Sequence, residues 1–176
     1  MTAFNEGYSK RPKPRVNVVR GFNGNEPSTF TRSAPVTEGV AIVSGQVISL
    51  DDGEWVLGAA QGSIPYIALS DSTDTDVSGS GLLPALSCAG QFEIETGWFK
   101  ADDTYGENTP LIAGATGLVE EGDLTDTEVD IIGFATQEGV KNLNGGPGPI
   151  VEMNATDANI LTFITRWIPA RVASGQ

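Results

Sequence analysis

From Val36 onward the chain never sustains a helical repeat. Its apolar residues come in short runs, each cut off by a turn signal. Val40-Ala41-Ile42-Val43 stops at Ser44-Gly45, and Gln46-Val47-Ile48-Ser49-Leu50 stops at Asp51-Asp52-Gly53. Asp-Gly supplies the positive φ angles a tight hairpin needs. Glu54-Trp55-Val56-Leu57 then returns, and Ile64 to Leu69 resumes after a Gly-rich turn, with Pro65 suited to an early or edge position. Gln91 to Thr96 alternates strictly: Phe92 and Ile94 face one side, Gln91, Glu93 and Glu95 the other, the mark of a half-exposed strand. Pro110 to Ala113, Leu118-Val119 and Val129 to Ala135 extend the series. Asn159 to Pro169 is β-branched and aromatic and reads as a long final strand. It is apolar on both faces, so it is central in a sheet or covered by another subunit. The best helical window, Thr125 to Val129, allows one turn. Ser70 to Gly81 reads as a polar loop. The fold class expected is all-β, a small Gly-rich β-barrel or β-sandwich with an extended N-terminal arm.

The arm is read from charge. Residues 1–32 hold six basic residues against two acidic, a net of +4, while residues 33–176 hold four basic against 21 acidic, a net of −17. Pro12 and Pro14 bias Arg11 and Lys13 away from helix. A basic, proline-bearing segment with little apolar surface is expected to order only against a partner. The chain thus divides into an extended basic arm at 1–35, a β-rich domain at 36–140, a Gly/Pro linker at 141–149, and a C-terminal strand at 150–176. That strand returns to the body or to a neighbouring subunit. No apolar run is long enough to cross a membrane as a helix, and Met1-Thr2-Ala3-Phe4-Asn5 leads into basic residues with no secretory pattern.

Histidine is absent. That removes the commonest zinc ligand, the usual general base near neutral pH, and the Ser-His-Asp and Cys-His arrangements. Cys88 stands alone among small and apolar neighbours and reads as an inert buried residue. Asp71, Asp74 and Asp76 have oxygen ligands in the order calcium favours, but an EF-hand counted from Asp71 would place Asp76 where Gly is needed and Leu82 where Glu is needed. A solvated acidic loop is the simpler reading. Asp102, Asp103 and Glu107 offer paired carboxylates, yet adjacent residues point apart on extended backbone. Gly145 to Pro149 lacks the Lys-Ser/Thr of a phosphate loop, and its prolines lack N–H donors. No catalytic residue, metal ligand or cofactor is expected.

Trp55, Trp98 and Trp167 lie beside Val, Phe or Ile. With Phe92, Ile94 and Phe163 they read as core or interface anchors; the other reading is an aromatic platform for a carbohydrate-binding module.

The run GVAIVSGQVISLDDGEWVLGAAQGSIPYIALSDS from Gly39, followed by GLLPALSCAGQFEIETGWFK from Gly81, resembles the capsid decoration (cement) proteins of tailed bacteriophages. IIGFATQEG from Ile131 repeats the theme of an apolar return rich in Gly. The resemblance implies a non-enzymatic virion protein on the capsid exterior. It would stabilise the head at junctions between major capsid subunits, with the major capsid protein and its own copies, as homodimer or homotrimer, for partners. No membrane and no direct nucleic-acid contact is implied. In that setting Lys10, Arg11, Lys13, Arg15 and Arg20 would meet carboxylates on the shell, and Val16, Val18 and Val19 would supply strand pairing and apolar contact. Deleting residues 1–20 would leave the body folded. A tail, fibre or baseplate component is the alternative within the virion.

Overall fold

A computed structural model describes residues 16–60, 62–100, 103–126, 128–142 and 159–171. Two antiparallel sheets face each other. The six-stranded sheet runs β1 (Asn17–Gly21), β7 (Phe92–Thr96), β11 (Asn159–Ile168), β10 (Ile131–Asn142), β8 (Pro110–Ala113), β9 (Val119–Glu121). The five-stranded sheet runs β2 (Thr31–Ala34), β6 (Leu83–Ser87), β5 (Tyr66–Ala68), β3 (Val47–Asp51), β4 (Glu54–Leu57). Two short helices, α1 (Pro27–Phe30) and α2 (Thr75–Ser80), interrupt the strands.

Side-chain alternation sorts the apolar residues into two cores. Between the sheets, Val47, Ile67 and Leu86 meet Phe92, Ile94 and Phe163. The next residues along the same strands, Ile48, Ala68 and Ala85, point the other way and pack with Ile42, Trp55 and Val77. Both faces of the five-stranded sheet are therefore covered, the outer one by the 36–43 segment and α2. Val36, just beyond β2, bridges to Trp55 on β4 at the opposite edge, so this sheet curls around the second core. A largely buried apolar side chain contributes about 1.5–3 kcal/mol, so the two clusters supply most of the stabilising burial.

The β3–β4 turn follows from its residues. Asp52 and Gly53 have φ of 47° and 87°, and Asp51 pairs with Glu54, the geometry of a two-residue hairpin. β11 lies between β7 and β10, so it is central; Leu161, Phe163 and Thr165 point inward, and Ile160 and Thr162 on the other face are buried too.

Several expectations change. The apolar run at 40–43 forms no strand; Ile42 is buried, but its N–H donates to Ser72 Oγ rather than to a ladder. The polar loop at 70–81 contains α2, because Val77 buries into the second core and Gly81 ends the turn in the left-handed region at φ 71°. β10 runs past 140 to Asn142, into the start of the predicted linker; residues 143–149 lie outside the described set. The boundary at 35/36 also moves. Residues 17–21 and 31–34 are the outermost strands β1 and β2 of the two sheets, so the second half of the predicted arm belongs to the body.

Candidate attachment surface

The edge of the six-stranded sheet carries the sequence-predicted arm residues that the structure describes. Val16 leads into β1, and its N–H lies 3.5 Å from Ser44 Oγ. Val18 pairs with Ile94 and packs against the inter-sheet core. The ladder then slips by a bulge between Val18 and Arg20, and Val19 is left 46% exposed. Arg20 Nε donates to Glu93 Oε2 at 2.6 Å, and its guanidinium lies 4.8 Å from the centre of the Phe22 ring. Asn17 Nδ2 donates to Glu95 Oε2 at 2.9 Å.

This arrangement corrects the predicted arm at Val16, Val18 and Arg20. The polar partners expected on a foreign surface are Glu93 and Glu95 of the same chain, and the sheet edge that takes up the strand is the chain's own β7. The physical reason is alternation. The half-buried strand Phe92–Thr96 turns its carboxylates outward, where they meet the donors of β1. Val19 alone keeps an outward apolar side chain. Lys10, Arg11, Lys13 and Arg15 lie outside the described residues. A deletion of residues 1–20 would remove most of β1, so it does not spare the body.

The far side of β1 pairs with no strand among the described residues. It presents backbone N–H and C=O groups along an edge whose side chains are Asn17, Val19 and Arg20, a template for a further strand.

The other candidate residues have structural partners. Asp71 Oδ1 accepts from the Ser44 N–H at 2.8 Å, and Asp74 Oδ2 accepts from the Asp71 N–H at 3.1 Å. These carboxylates fasten a loop rather than converge on a point; Asp76 lies exposed on α2. Among the described residues, no group of three or more His, Cys, Asp or Glu side chains could hold a metal ion. Asp103 Oδ2 accepts from the Glu121 N–H at 2.8 Å, and its Oδ1 lies 3.2 Å from Lys100 Nζ. Asp103 thus ties the 103–105 turn to β9, Glu107 is exposed, and Asp102 lies outside the described residues. Tyr105 donates to the carbonyls of Lys100 and Val119 at 2.8 and 3.0 Å in the same corner. Burial, and next the Asp103 carboxylate, push its hydroxyl pKa well above the usual value.

The tryptophans form no open platform. Trp55 is fully buried and donates from Nε1 to the Leu83 carbonyl at 2.8 Å. Trp98 and Trp167 are partly buried, and both indole N–H groups are shut off from solvent without a partner among the described residues. Trp167 packs against the inter-sheet core. Phe92, Ile94 and Phe163 are all fully buried within that core. Trp55 is therefore closed to stacking, so the three tryptophans do not form one shared platform.

Away from the edge, the outer face of the six-stranded sheet carries two shallow grooves. One is lined by Phe22, Phe134, Ile164 and Arg166, the other by Val129, Ile168, Asp126 and Arg171. Leu124 borders both. Sequence reasoning missed this surface because its residues come from loops and strand ends far apart in the chain; Arg166 in the middle of an apolar strand was the one visible signal.

No family model matches the chain, and a search of curated proteins finds no match.

Proposed function

We propose that this chain is a structural, non-catalytic protein of a tailed-bacteriophage particle. It decorates the exterior of the capsid, braces junctions between major capsid subunits, and assembles there as a homodimer or homotrimer. The observation that carries this reading is the outer edge of β1, which pairs with no strand among the described residues. In the sequence, Lys10, Arg11, Lys13 and Arg15 immediately precede that strand. An open backbone edge and a basic segment are thereby consecutive in the chain. The cations bring the segment to an acidic protein surface and set its register, and strand addition holds it. Each attachment is weak alone; several copies on a repeating lattice gain by multivalency. The net charge of −17 on residues 33–176 keeps the body away from nucleic acid. The sequence resemblance supports the same reading.

Electron microscopy of purified particles tests it. The expected result is density for this chain on the outer shell, with residues 1–15 crossing to the capsid protein. Density in the tail, fibre or baseplate, or none on the head, would overturn it.

A further inference from the structure

We propose that Asn23 is a self-modifying site: without an enzyme, its side-chain amide converts to aspartate and isoaspartate through a succinimide formed with the Gly24 backbone nitrogen, and the isoaspartate form releases the end of β1. Asn23 and Gly24 are the two central residues of the turn that leaves β1. The Asn25 N–H donates to the Phe22 carbonyl at 3.0 Å, with φ of 55° at Asn23 and 76° at Gly24, the Asn-Gly turn with both centres left-handed. Both residues are exposed. Nothing lies within 4 Å of the place where a Gly24 Cβ would stand, and the Gly24 N–H makes no hydrogen bond with another described residue. The attacking nitrogen is therefore uncovered, and the peptide plane beside it has room to turn.

The chemistry needs only water. The Gly24 amide gives up its proton and its nitrogen attacks Cγ of Asn23. An N–Cγ bond forms, the Cγ–Nδ2 bond breaks, and the side-chain nitrogen takes up a proton and leaves as ammonia. Water then opens the five-membered ring. Cleavage of the N–Cγ bond gives aspartate on the original backbone. Cleavage between the same nitrogen and the main-chain carbonyl carbon of Asn23 gives isoaspartate, whose backbone runs through Cγ and is one carbon longer. In sum one water is consumed, one ammonia is released and one carboxylate is gained. Asn25, two residues on, is followed by Glu26, whose side chain crowds the corresponding attack.

The surroundings of the turn set both the rate and the consequence. Asn23 Nδ2 donates to Gln91 Oε1 at 2.7 Å, so Gln91 tethers the reacting amide and slows its approach to Gly24. The Phe22 N–H donates to the Gln91 carbonyl at 2.9 Å, which fastens the end of β1 beside the start of β7. The turn folds back so closely that Gly21 has no room for a Cβ beside the Asn25 carbonyl. A backbone one carbon longer cannot close the bond from Asn25 to Phe22 in that space. The isoaspartate form loses this bond and the Gln91 tether together, and the end of β1 frays from β7. This inference stands apart from shell attachment, since it concerns the protein alone in solution.

Ageing of the full chain in mildly alkaline buffer, followed by trypsin and mass spectrometry, tests it. Cleavage after Arg20 and Arg32 isolates residues 21–32, with Asn23 and Asn25 in one peptide. The expected result is a gain of about one dalton confined to Asn23, with fragment ions of isoaspartate as well as aspartate. Gln91→Ala removes the tether and should speed the conversion roughly two- to tenfold, and Gln91→Glu, which keeps an acceptor, should run at the wild-type rate. In hydrogen exchange the isoaspartate fraction should lose protection at the Phe22 and Asn25 amides while β11 stays protected. Asn23→Gly, which keeps a turn of positive φ, should age with those two amides still protected. An Asn23 that stays intact, equal conversion at Asn25, a Gln91→Ala rate no faster than wild type or matched by Gln91→Glu, or an isoaspartate fraction with both amides unchanged would each overturn the proposal.

Discussion

The Thr96 hydroxyl donates to the Gly45 carbonyl at 2.9 Å, joining the end of β7 in one sheet to the turn that feeds β3 in the other. The same oxygen accepts from the Trp98 N–H at 3.1 Å. One buried hydroxyl thus holds the two sheets in register. Gly45 has φ of 95°, and a Cβ there would lie 2.6 Å from that hydroxyl.

Thr96→Val keeps the shape and strands two buried backbone groups. It should cost about 1–3 kcal/mol in urea unfolding. Gly45→Ala meets both the strained φ and the clash, so its cost should be at least as large, on the order of 1–3 kcal/mol.

Phe163 and Val19 separate the core from the edge. Phe163→Ala opens a cavity between the sheets and should cost about 3–5 kcal/mol. Val19→Ala, on the exposed bulge of β1, should stay within about 0.5 kcal/mol. Comparable losses at the two sites would contradict the placement of the core.

Cys88 is fully buried, and burial pushes its thiol far above the usual pKa. Tyr105 is raised for the same first reason. Both groups hold their protons more tightly when the chain is folded. The stability this represents is complete below the unfolded values, about 8.5 for the thiol and about 10 for the phenol, and is lost as pH rises above them. The urea midpoint should therefore be flat through neutral pH and fall on the alkaline side. Cys88→Ala should delay the onset from about pH 8.5 toward about pH 10. In native protein the thiol should stay silent to a disulfide reagent and react on unfolding.

The strands with a full apolar face were legible in the sequence. Phe92 to Thr96 announced its two faces by alternation, and the run from Asn159, apolar on both, announced a strand either central or covered by another subunit; it lies between β7 and β10. The Asp52-Gly53 turn was legible from its chemistry. β1 and β2 were not. Each is an outermost strand with one inward apolar residue, Val18 or Ala34. What holds them is backbone pairing with β7 and β6 of the same chain, which leaves little mark on side-chain type, while the surrounding charges suggested an arm that pairs only with a partner. α2 was hidden for a similar reason: one buried side chain, Val77, fixes it. At the candidate surface, the basic residues 10–15 were visible from charge alone. The role of Arg20 was not, because Glu93 lies 73 residues away along the chain.

That correction gives Arg20 a modest part. It is 62% exposed at the side chain and already paired with Glu93, so Arg20→Ala should cost at most about 1 kcal/mol of stability. Since its charge is engaged within the chain, the variant should bind particles nearly as the wild type does. A large loss of binding would return Arg20 to the shell-contacting set.

The most direct test is co-sedimentation with undecorated heads, comparing the full chain with a deletion of residues 1–15 that preserves β1. The account predicts an unchanged unfolding curve for the truncated protein and occupancy weakened by roughly tenfold or more. Equal occupancy of heads by the two proteins would contradict it.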